Sequence, residues 1–151
     1  MNLKSKGRNA ISGSVLTQQQ QASRRGRLTE IKVIGRLLEL GETIAKPLQV
    51  EAYDVVVIRN GRAIRVQIKT AWESRQGVIK FQCTSNHYGS YENLIDVFVV
   101  YNPGSDQYFW VPWEVVGNAD SCELRLNPPF PKQPKMKFAA DFELCDPKKI
   151  N

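Results

Sequence analysis

Two runs of β-branched residues on either side of an Asn-Gly pair constrain this chain more than any other feature. The runs cover residues 51–59 and 62–70, and Asn60 and Gly61 lie between them. Asn-Gly is a strong signal for a two-residue hairpin turn, because both residues tolerate the positive φ angles that such a turn requires. The sequence therefore predicts an antiparallel hairpin whose two loop residues are Asn60 and Gly61.

The register of this hairpin predicts which side chains share a face. With a two-residue loop, Asp54 lies directly across from Gln67, and Lys69 lies on the same face at a spacing of about 5 Å from its neighbours. The opposite face is apolar and belongs to the core, and it carries Val55, Val57, Ile64, Val66 and Ile68. The hairpin therefore predicts a polar cluster at the end away from the turn, although a merely solvated sheet face is the alternative.

One helix is predicted upstream of the hairpin. Apolar residues recur at helical spacing between Arg27 and Leu40, and Gly41 follows where a left-handed terminal residue is expected. Glu30 lies four residues before Ile34, at the head of the predicted inward stripe, so its carboxylate is expected to point toward the sheet. The alternative is that Glu30 only stabilises the first turn of the helix through the macrodipole.

The rest of the chain fits one domain between two arms. At 151 residues, the chain is long enough for a single domain with a buried core. Further strands are predicted at residues 77–83, 95–102 and 107–113, with a short helix or ordered loop at 86–94. The predicted parts are a flexible Gln-rich basic arm at 1–22, a core domain at 23–126 and a Pro- and Lys-rich extended arm at 127–151.

Charge and composition favour a nucleic-acid partner inside the cell. The net charge is +6, and residues 1–36 hold eight basic residues against one acidic residue. This excess favours DNA over a membrane surface, because no basic amphipathic helix is apparent and no apolar run reaches the ~20 residues that a membrane span needs. The sequence shows no secretory signal, and its three widely spaced cysteines are expected to be reduced thiols, so a cytoplasmic location is expected.

The chemistry of the predicted cluster is that of metal-assisted phosphodiester hydrolysis. Asp54 offers a carboxylate oxygen, Gln67 an amide oxygen and Ile68 its backbone carbonyl, which together suit Mg²⁺, with Mn²⁺ as a substitute. Lys69 beside such a cation could orient the attacking water or stabilise charge on the phosphate. Glu30 is the fourth candidate for catalysis and for metal binding.

Candidate DNA contacts lie in the basic segment and near two loops, 74–77 and 85–90, which would set target preference. They are Arg24, Arg25, Arg27, Arg75, Lys80, Asn86, His87 and Tyr88. His87 is the one histidine of the chain, which makes a histidine-rich metal site improbable, and no phosphate-cradling glycine-rich loop with Lys and Ser or Thr is present.

The order of these residues resembles a known nuclease superfamily. Glu30, then Asp54, then Gln-Ile-Lys at 67–69 resembles the PD-(D/E)XK pattern. Over residues 28–116 the chain also resembles the cyanobacterial group I intron homing endonucleases of this superfamily, through GRLLELG, RVQIKTA and YENLIDVFVVYNP. The resemblance implies an α/β, restriction-endonuclease-like core with a central mixed β-sheet flanked by helices.

The same resemblance implies an activity and an assembly. The expected activity is site-specific cleavage of double-stranded DNA that leaves 5′-phosphate and 3′-hydroxyl ends. A duplex break requires two cuts, so the minimum assembly is a dimer, and the resemblance favours a tetramer. The enzyme would then be associated with the nucleoid when bound to DNA.

Two residues depart from the superfamily pattern. Tyr53 stands where the motif has proline, and Gln67 stands where a second acid is usual. Asp54 is then the one carboxylate of the hairpin cluster, so Glu30 would be needed for charge balance at a metal. The alternatives are a Holliday junction resolvase, a restriction-type endonuclease, or a non-catalytic DNA-binding protein on the nuclease fold, which Gln67 favours.

Overall fold

The computed structural model describes residues 15–127 and 136–145, in which helices and strands are arranged around a central sheet. The elements are α1 (Gln18–Glu39), β1 (Thr43–Ala45), β2 (Val55–Arg59), β3 (Arg62–Thr70), β4 (Trp72–Arg75), β5 (Val78–Gln82), β6 (Thr84–Ser85), β7 (Gly89–Ser90), β8 (Val97–Asn102), β9 (Gln107–Pro112), α2 (Trp113–Val116), β10 (Ser121–Arg125) and a 3₁₀ turn (Ala139–Phe142). The central sheet has the order β1-β2-β3-β8-β9 in the described residues. Strands β3 and β8 are parallel and the other neighbours are antiparallel, so the predicted mixed α/β sheet is confirmed.

The predicted hairpin is present with the predicted turn. Asn60 and Gly61 have φ angles of 49° and 73°, as a two-residue turn with two left-handed positions requires. Arg59 pairs with Arg62, and the ladder continues from this pair in the predicted register. The local chemistry of Asn-Gly therefore determines both the position of the turn and the pairing of the strands.

The ladder ends one pair earlier than the sequence predicts. Its last pair is Val55 with Val66, so Asp54 lies before the first residue of β2 and does not pair with Gln67. The backbone N–H of Asp54 instead donates to the carbonyl of Val66 at 2.8 Å. The chain of β2 has turned away from β3 at this point, which leaves the last residues of β3 without backbone partners on that side.

Each face of the central sheet is covered by a different element. On one face, Val33 and Leu37 of α1 pack with the predicted apolar face of the hairpin and with β8. On the other face, Phe98 and Phe109 pack against β5 and β10, which belong to a three-stranded sheet of order β10-β5-β4 in the described part of the chain. Strands β1, β4, β6, β7 and β10 were not predicted from the sequence.

The inward stripe of α1 differs from the predicted one. The buried residues are Thr29, Val33 and Leu37, four residues apart. The apolar residues that remain exposed are Leu28, Ile31 and Leu38. The helix has apolar residues on two sides and the sheet covers one of them, so the helix is rotated from the expected orientation and Glu30 lies beside the buried stripe rather than at its head.

Helix α1 also begins earlier than the apolar pattern indicates. Thr17 caps it, because the Thr17 hydroxyl accepts from the Gln20 backbone N–H at 3.2 Å while the Gln20 side chain accepts from the Thr17 N–H at 2.9 Å. Residues 18–22, which the sequence assigned to a flexible arm, are therefore helical and exposed. The helix ends as predicted, with Gly41 at a φ of 81°.

Part of the predicted C-terminal arm belongs to the core. Within residues 136–145, Ala139 and Leu144 are buried, and the Leu144 N–H donates to the carbonyl of Tyr108 at 2.8 Å. An extended arm is therefore wrong for this stretch, while the proline-rich stretch at 128–135 lies outside the described residues. No helix among the described residues is both long enough and apolar enough to span a bilayer.

Candidate active site

Asp54 is held at the open end of the hairpin by the backbone of β3. Its carboxylate oxygen Oδ2 accepts a hydrogen bond of 2.7 Å from the backbone N–H of Ile68. Because β2 begins only at Val55, the side chain of Asp54 takes the place that a backbone carbonyl would have in a longer ladder. The early end of β2 thus fixes the carboxylate against β3.

The electrostatic surroundings of Asp54 act on its carboxyl in opposite directions, and those that raise its pKa prevail. Burial raises the pKa of the Asp54 carboxyl above its ordinary value, and the negative charge of Glu30 raises it further. The Ile68 N–H bond and the positive charge of Lys69 act in the opposite direction without cancelling the effect. A carboxylate in this position is therefore stabilised as an anion when a cation binds beside it.

Gln67 and Ile68 place two further polar groups next to each other. The Gln67 amide nitrogen Nε2 donates to the Ile68 carbonyl oxygen at 3.3 Å. Rotation of the Gln67 amide about its last torsion exchanges nitrogen and oxygen, which would place two oxygens side by side. Together with Asp54 these are hard oxygen donors of the kind that Mg²⁺ binds.

The candidate ligands would form only part of a metal shell. Among the described residues, no three His, Cys, Asp or Glu side chains form a group that could hold a metal ion. The candidate ligands at the open end of the hairpin are one carboxylate, one amide and one backbone carbonyl. Water and phosphate oxygens would therefore have to complete the coordination of the metal. The residues fit Mg²⁺, which commonly keeps several waters and binds substrate phosphates through a few protein ligands.

Lys69 lies on the same side of β3 as Gln67, two residues further along. Its ammonium nitrogen Nζ donates to the hydroxyl of Tyr91 at 3.1 Å and lies 4.9 Å from the centre of the Tyr91 ring. The Asp54 carboxylate binds the N–H of Ile68, the residue between Gln67 and Lys69, and the positive charge of Lys69 acts to lower the pKa of that carboxyl against the larger effect of burial. The structure therefore brings the predicted ammonium, amide and carboxylate groups together.

Glu30 approaches the cluster but is paired with other cations. Its side chain is 18% exposed and forms ion pairs with Lys46 and, at 3.3 Å, with Arg27. Its charge still acts on Asp54. Lys46 was not identified from the sequence, because nothing in the segment before Pro47 indicates where the chain passes relative to α1.

A pair of threonine hydroxyls positions α1 over β3. The hydroxyl oxygens of Thr29 and Thr70 are 2.7 Å apart, which is hydrogen-bonding distance. Thr29 precedes Glu30 in α1 and Thr70 follows Lys69 in β3, so this bond holds together the two elements that carry these groups. A threonine four residues before Val33, within an apolar stripe, was the sequence signal for this contact.

The basic residues at the start of α1 lie on its exposed side. Arg25 lines a cleft of about 620 Å³ that is also lined by Thr70, the last residue of β3, and by Trp72. Arg24 is exposed on the same turn of the helix, whereas Arg27 is engaged with Glu30. Of the three predicted arginines, Arg25 is therefore the one that the structure places near the end of the strand that carries Lys69.

The other DNA-contact candidates lie on the second sheet and on the β6–β7 ribbon. Arg75 in β4 pairs with Glu123 in β10 at 3.1 Å, and Lys80 is half-buried in β5. Asn86, His87 and Tyr88 form the exposed turn of the ribbon, in which the Ser85 hydroxyl accepts from the backbone N–H groups of His87 and Tyr88. The turn leads through β7 into Tyr91, which contacts Lys69.

Comparisons with known proteins agree with the family resemblance and with the fold. A PD-(D/E)XK endonuclease family model matches residues 20–145. The fold is similar to that of a bacterial homing endonuclease, I-Ssp6803I, with a TM-score of 0.64, 19% sequence identity, and coverage of 85% of this chain and 88% of that chain. No curated protein sequence matches the chain significantly.

Proposed function

Since this chain belongs to the PD-(D/E)XK endonuclease family, we propose that it is a homing endonuclease that cuts double-stranded DNA at a specific site. The observation that carries the proposal is the hydrogen bond from the Ile68 N–H to the Asp54 carboxylate, because Ile68 lies between Gln67 and Lys69 in β3. The similarity of fold to a bacterial homing endonuclease supports the homing activity.

Asp54, Gln67 and the Ile68 carbonyl would hold Mg²⁺, or Mn²⁺ in its place. When bound, the cation would polarise a phosphate oxygen and lower the pKa of a water molecule. The Ile68 N–H keeps the Asp54 carboxylate oriented, and the Lys69 ammonium stabilises negative charge that develops on the phosphate. Glu30, paired with Lys46, contributes to the charge balance from the side of α1.

The expected products follow from the bond that breaks. Water adds its oxygen to phosphorus, and the bond between phosphorus and the 3′ oxygen breaks, which leaves a 5′-phosphate and a 3′-hydroxyl. Lys69 would orient the attacking water or stabilise charge on the phosphate, since it adjoins Ile68, whose N–H binds the Asp54 carboxylate. Ligation of the products without prior phosphorylation would test this polarity.

DNA binding is assigned to the start of α1 and to the β6–β7 ribbon. The exposed Arg24 and Arg25 would neutralise phosphates, and the turn at residues 86–88 would enter a groove of the target. Substituting both arginines by alanine should reduce the slope of log affinity against log salt by about 0.9 for each phosphate that is no longer neutralised. The enzyme would act on nucleoid DNA in the cytoplasm.

The working enzyme is proposed to be a tetramer built as a dimer of dimers. One chain offers one cluster, whereas a duplex break needs two, and a two-fold axis supplies the second. Leu28, Ile31 and Leu38 expose more than half of their surface on one side of α1, an apolar surface that a second subunit could cover. Light scattering at micromolar concentration tests the assembly, and a monomer with and without DNA would contradict it.

Plasmid cleavage tests the proposed function directly. We expect the protein with Mg²⁺ to linearise a plasmid that contains an intron insertion site, and not the same plasmid without that site. EDTA provides the control for metal dependence. Cleavage of both plasmids would point to a restriction-type enzyme, and cleavage of a four-way junction alone would point to a resolvase.

A non-catalytic DNA-binding protein is the second candidate. Gln67 in place of an acid leaves the cluster with one carboxylate, and no metal-binding group of His, Cys, Asp and Glu is found in the described residues. Salt-dependent DNA binding without cleavage of any duplex or junction, in Mg²⁺ or Mn²⁺, would favour this candidate.

A further inference from the structure

Tyr91 is a buried tyrosine whose hydroxyl reaches the proposed active site. The residue is 4% exposed, and its ring packs edge-on against Phe98 of β8, with ring centres 5.7 Å apart. Its hydroxyl accepts the hydrogen bond of 3.1 Å from Lys69. A buried ring of this kind has one orientation, so its hydroxyl is a fixed point beside a long side chain with many rotamers.

The backbone around Tyr91 is also fixed. The Tyr91 carbonyl accepts from the N–H groups of Leu94 at 2.9 Å and Ile95 at 3.3 Å, which closes a tight turn. The preceding Ser90 hydroxyl accepts from the Glu92 N–H at 3.1 Å. Tyr91 is therefore held by its ring, by its turn and by the start of the segment that leads into β8.

Lys69 needs such a support because its side chain has four rotatable carbon–carbon bonds and its ammonium has three equivalent donors. We propose that Tyr91 is a positioning residue that orients the Lys69 ammonium for phosphodiester hydrolysis, an inference that rests on the proposed function. One donor is bound to the Tyr91 hydroxyl and the cation lies against the ring. The other two donors are then directed away from the ring, toward the side where water and phosphate would bind.

The test is the Tyr91→Phe variant, which keeps the ring and its packing on Phe98 but removes the hydroxyl. With enzyme in excess over bound DNA, we expect the cleavage rate to fall about 10- to 100-fold, the effect of losing one hydrogen bond to a charged group. DNA affinity and the melting temperature should stay unchanged. Tyr101→Phe is the matched control, because it removes a buried tyrosine's bond to Asp106 rather than to Lys69.

A second readout does not depend on cleavage. Brief labelling of lysines with acetic anhydride, followed by peptide mass spectrometry, should modify Lys69 severalfold faster in Tyr91→Phe than in the wild type or in Tyr101→Phe. The other lysines of each sample provide the internal standard. This comparison measures the contact between Tyr91 and Lys69 in the folded protein without DNA.

The outcomes separate this inference from the proposed function. If the wild type cuts DNA and Tyr91→Phe cuts it at the same rate, the positioning role is wrong. A fall in DNA affinity equal to the fall in rate would also overturn it. If the wild type cuts no DNA, the proposed function fails, and equal labelling of Lys69 in wild type and Tyr91→Phe would then show that Tyr91 does not hold the lysine either.

Discussion

The two ends of the β2–β3 hairpin differ in how their backbone groups are bound. At the turn end, Asn60 and Gly61 close a ladder in which the strands pair in regular register. At the open end, the last pair of the ladder is Val55 with Val66, and the Asp54 side chain accepts a hydrogen bond from the N–H of Ile68. One end has its hydrogen-bonding groups bound within the sheet, whereas the other leaves a carboxylate, an amide and a carbonyl close together.

This difference explains why the proposed site lies at the open end of the hairpin. Backbone N–H and C=O groups must have partners when buried, and a regular ladder provides them from the neighbouring strand. Where β2 turns away, β3 continues to Thr70 and its polar groups need side chains or a ligand instead. The site is therefore a consequence of two paired strands of unequal length.

Removal of charged groups at the open end of the hairpin should have the largest effect on the cleavage rate. We expect Lys69→Ala and Asp54→Ala each to lower the cleavage rate at least ~100-fold, because each removes a group that acts on the developing charge. DNA affinity should be largely retained, since phosphate contacts elsewhere supply most of the binding. Single-turnover cleavage and salt-dependent binding assays measure the two quantities.

The turn end provides the control for that comparison. Arg62→Ala lies on the same hairpin, beside the turn, and should cut DNA at close to the wild-type rate. A loss of activity in Arg62→Ala as large as that in Lys69→Ala would show that the two ends are not functionally distinct. Cleavage at the wild-type rate by Lys69→Ala or Asp54→Ala would contradict the assignment of the active site to this end of the hairpin.

A substitution in the turn should affect stability instead of chemistry. Gly61 has a φ of 73° with open space around the position of a Cβ, so Gly61→Ala adds backbone strain without a clash. The expected loss is roughly 1–2 kcal/mol in the free energy of unfolding, because residues with a Cβ disfavour this conformation. Urea denaturation measures it, and the folded variant should keep its cleavage rate.

At a second glycine, the same substitution by alanine should raise the free energy of unfolding instead of lowering it. Gly35 lies within α1, also with open space at its Cβ position, so Gly35→Ala should stabilise the protein by about 0.5–1 kcal/mol through helix propensity. If both glycine variants lost stability equally, the special backbone conformation at the turn would not be the cause.

The ion pair between Arg65 and Asp96, which lies between the two ends of the hairpin, should contribute least to the free energy of unfolding. Asp96 accepts hydrogen bonds from the backbone and side chain of Arg65, which holds the pKa of the Asp96 carboxyl below its ordinary value. The stability this provides is complete above the unfolded pKa of about 3.9 and is lost as the pH falls through the lower folded value. Both side chains are more than one third exposed, so we expect less than ~1 kcal/mol.

The Asp96→Asn variant tests this pH dependence. Its unfolding free energy should be lower than that of the wild type at pH 7, and the difference should shrink toward pH 3, because protonation of Asp96 then weakens the same pair in the wild type. A difference that stays constant over this range would mean that the charge of Asp96 does not contribute.

Local signals account for the parts of the fold that the sequence predicted. Asn60-Gly61 determined the turn, the run at 95–102 indicated a buried strand, and Gly41 marked the end of α1. Short strands such as β1 and β10 were missed, because three to five residues contain too little pattern to separate them from loops. The predicted face of α1 was correct for Leu37 and Ile34, which pack on the core, but wrong for Leu38, because a helix with apolar residues on two sides does not specify which side the sheet will cover.

The amino-acid order by itself determined the hairpin and placed Gln67 and Lys69 on one face of β3, because turn geometry and strand alternation are local properties. Only the tertiary structure decided where β2 leaves β3 and which residues surround the cluster. Tyr91 contacts Lys69, Lys46 pairs with Glu30, and Thr29 bonds to Thr70, and these contacts come from separate segments that pack on the sheet. Contacts of this kind depend on side-chain volume and direction across the whole core, which no short stretch of sequence contains.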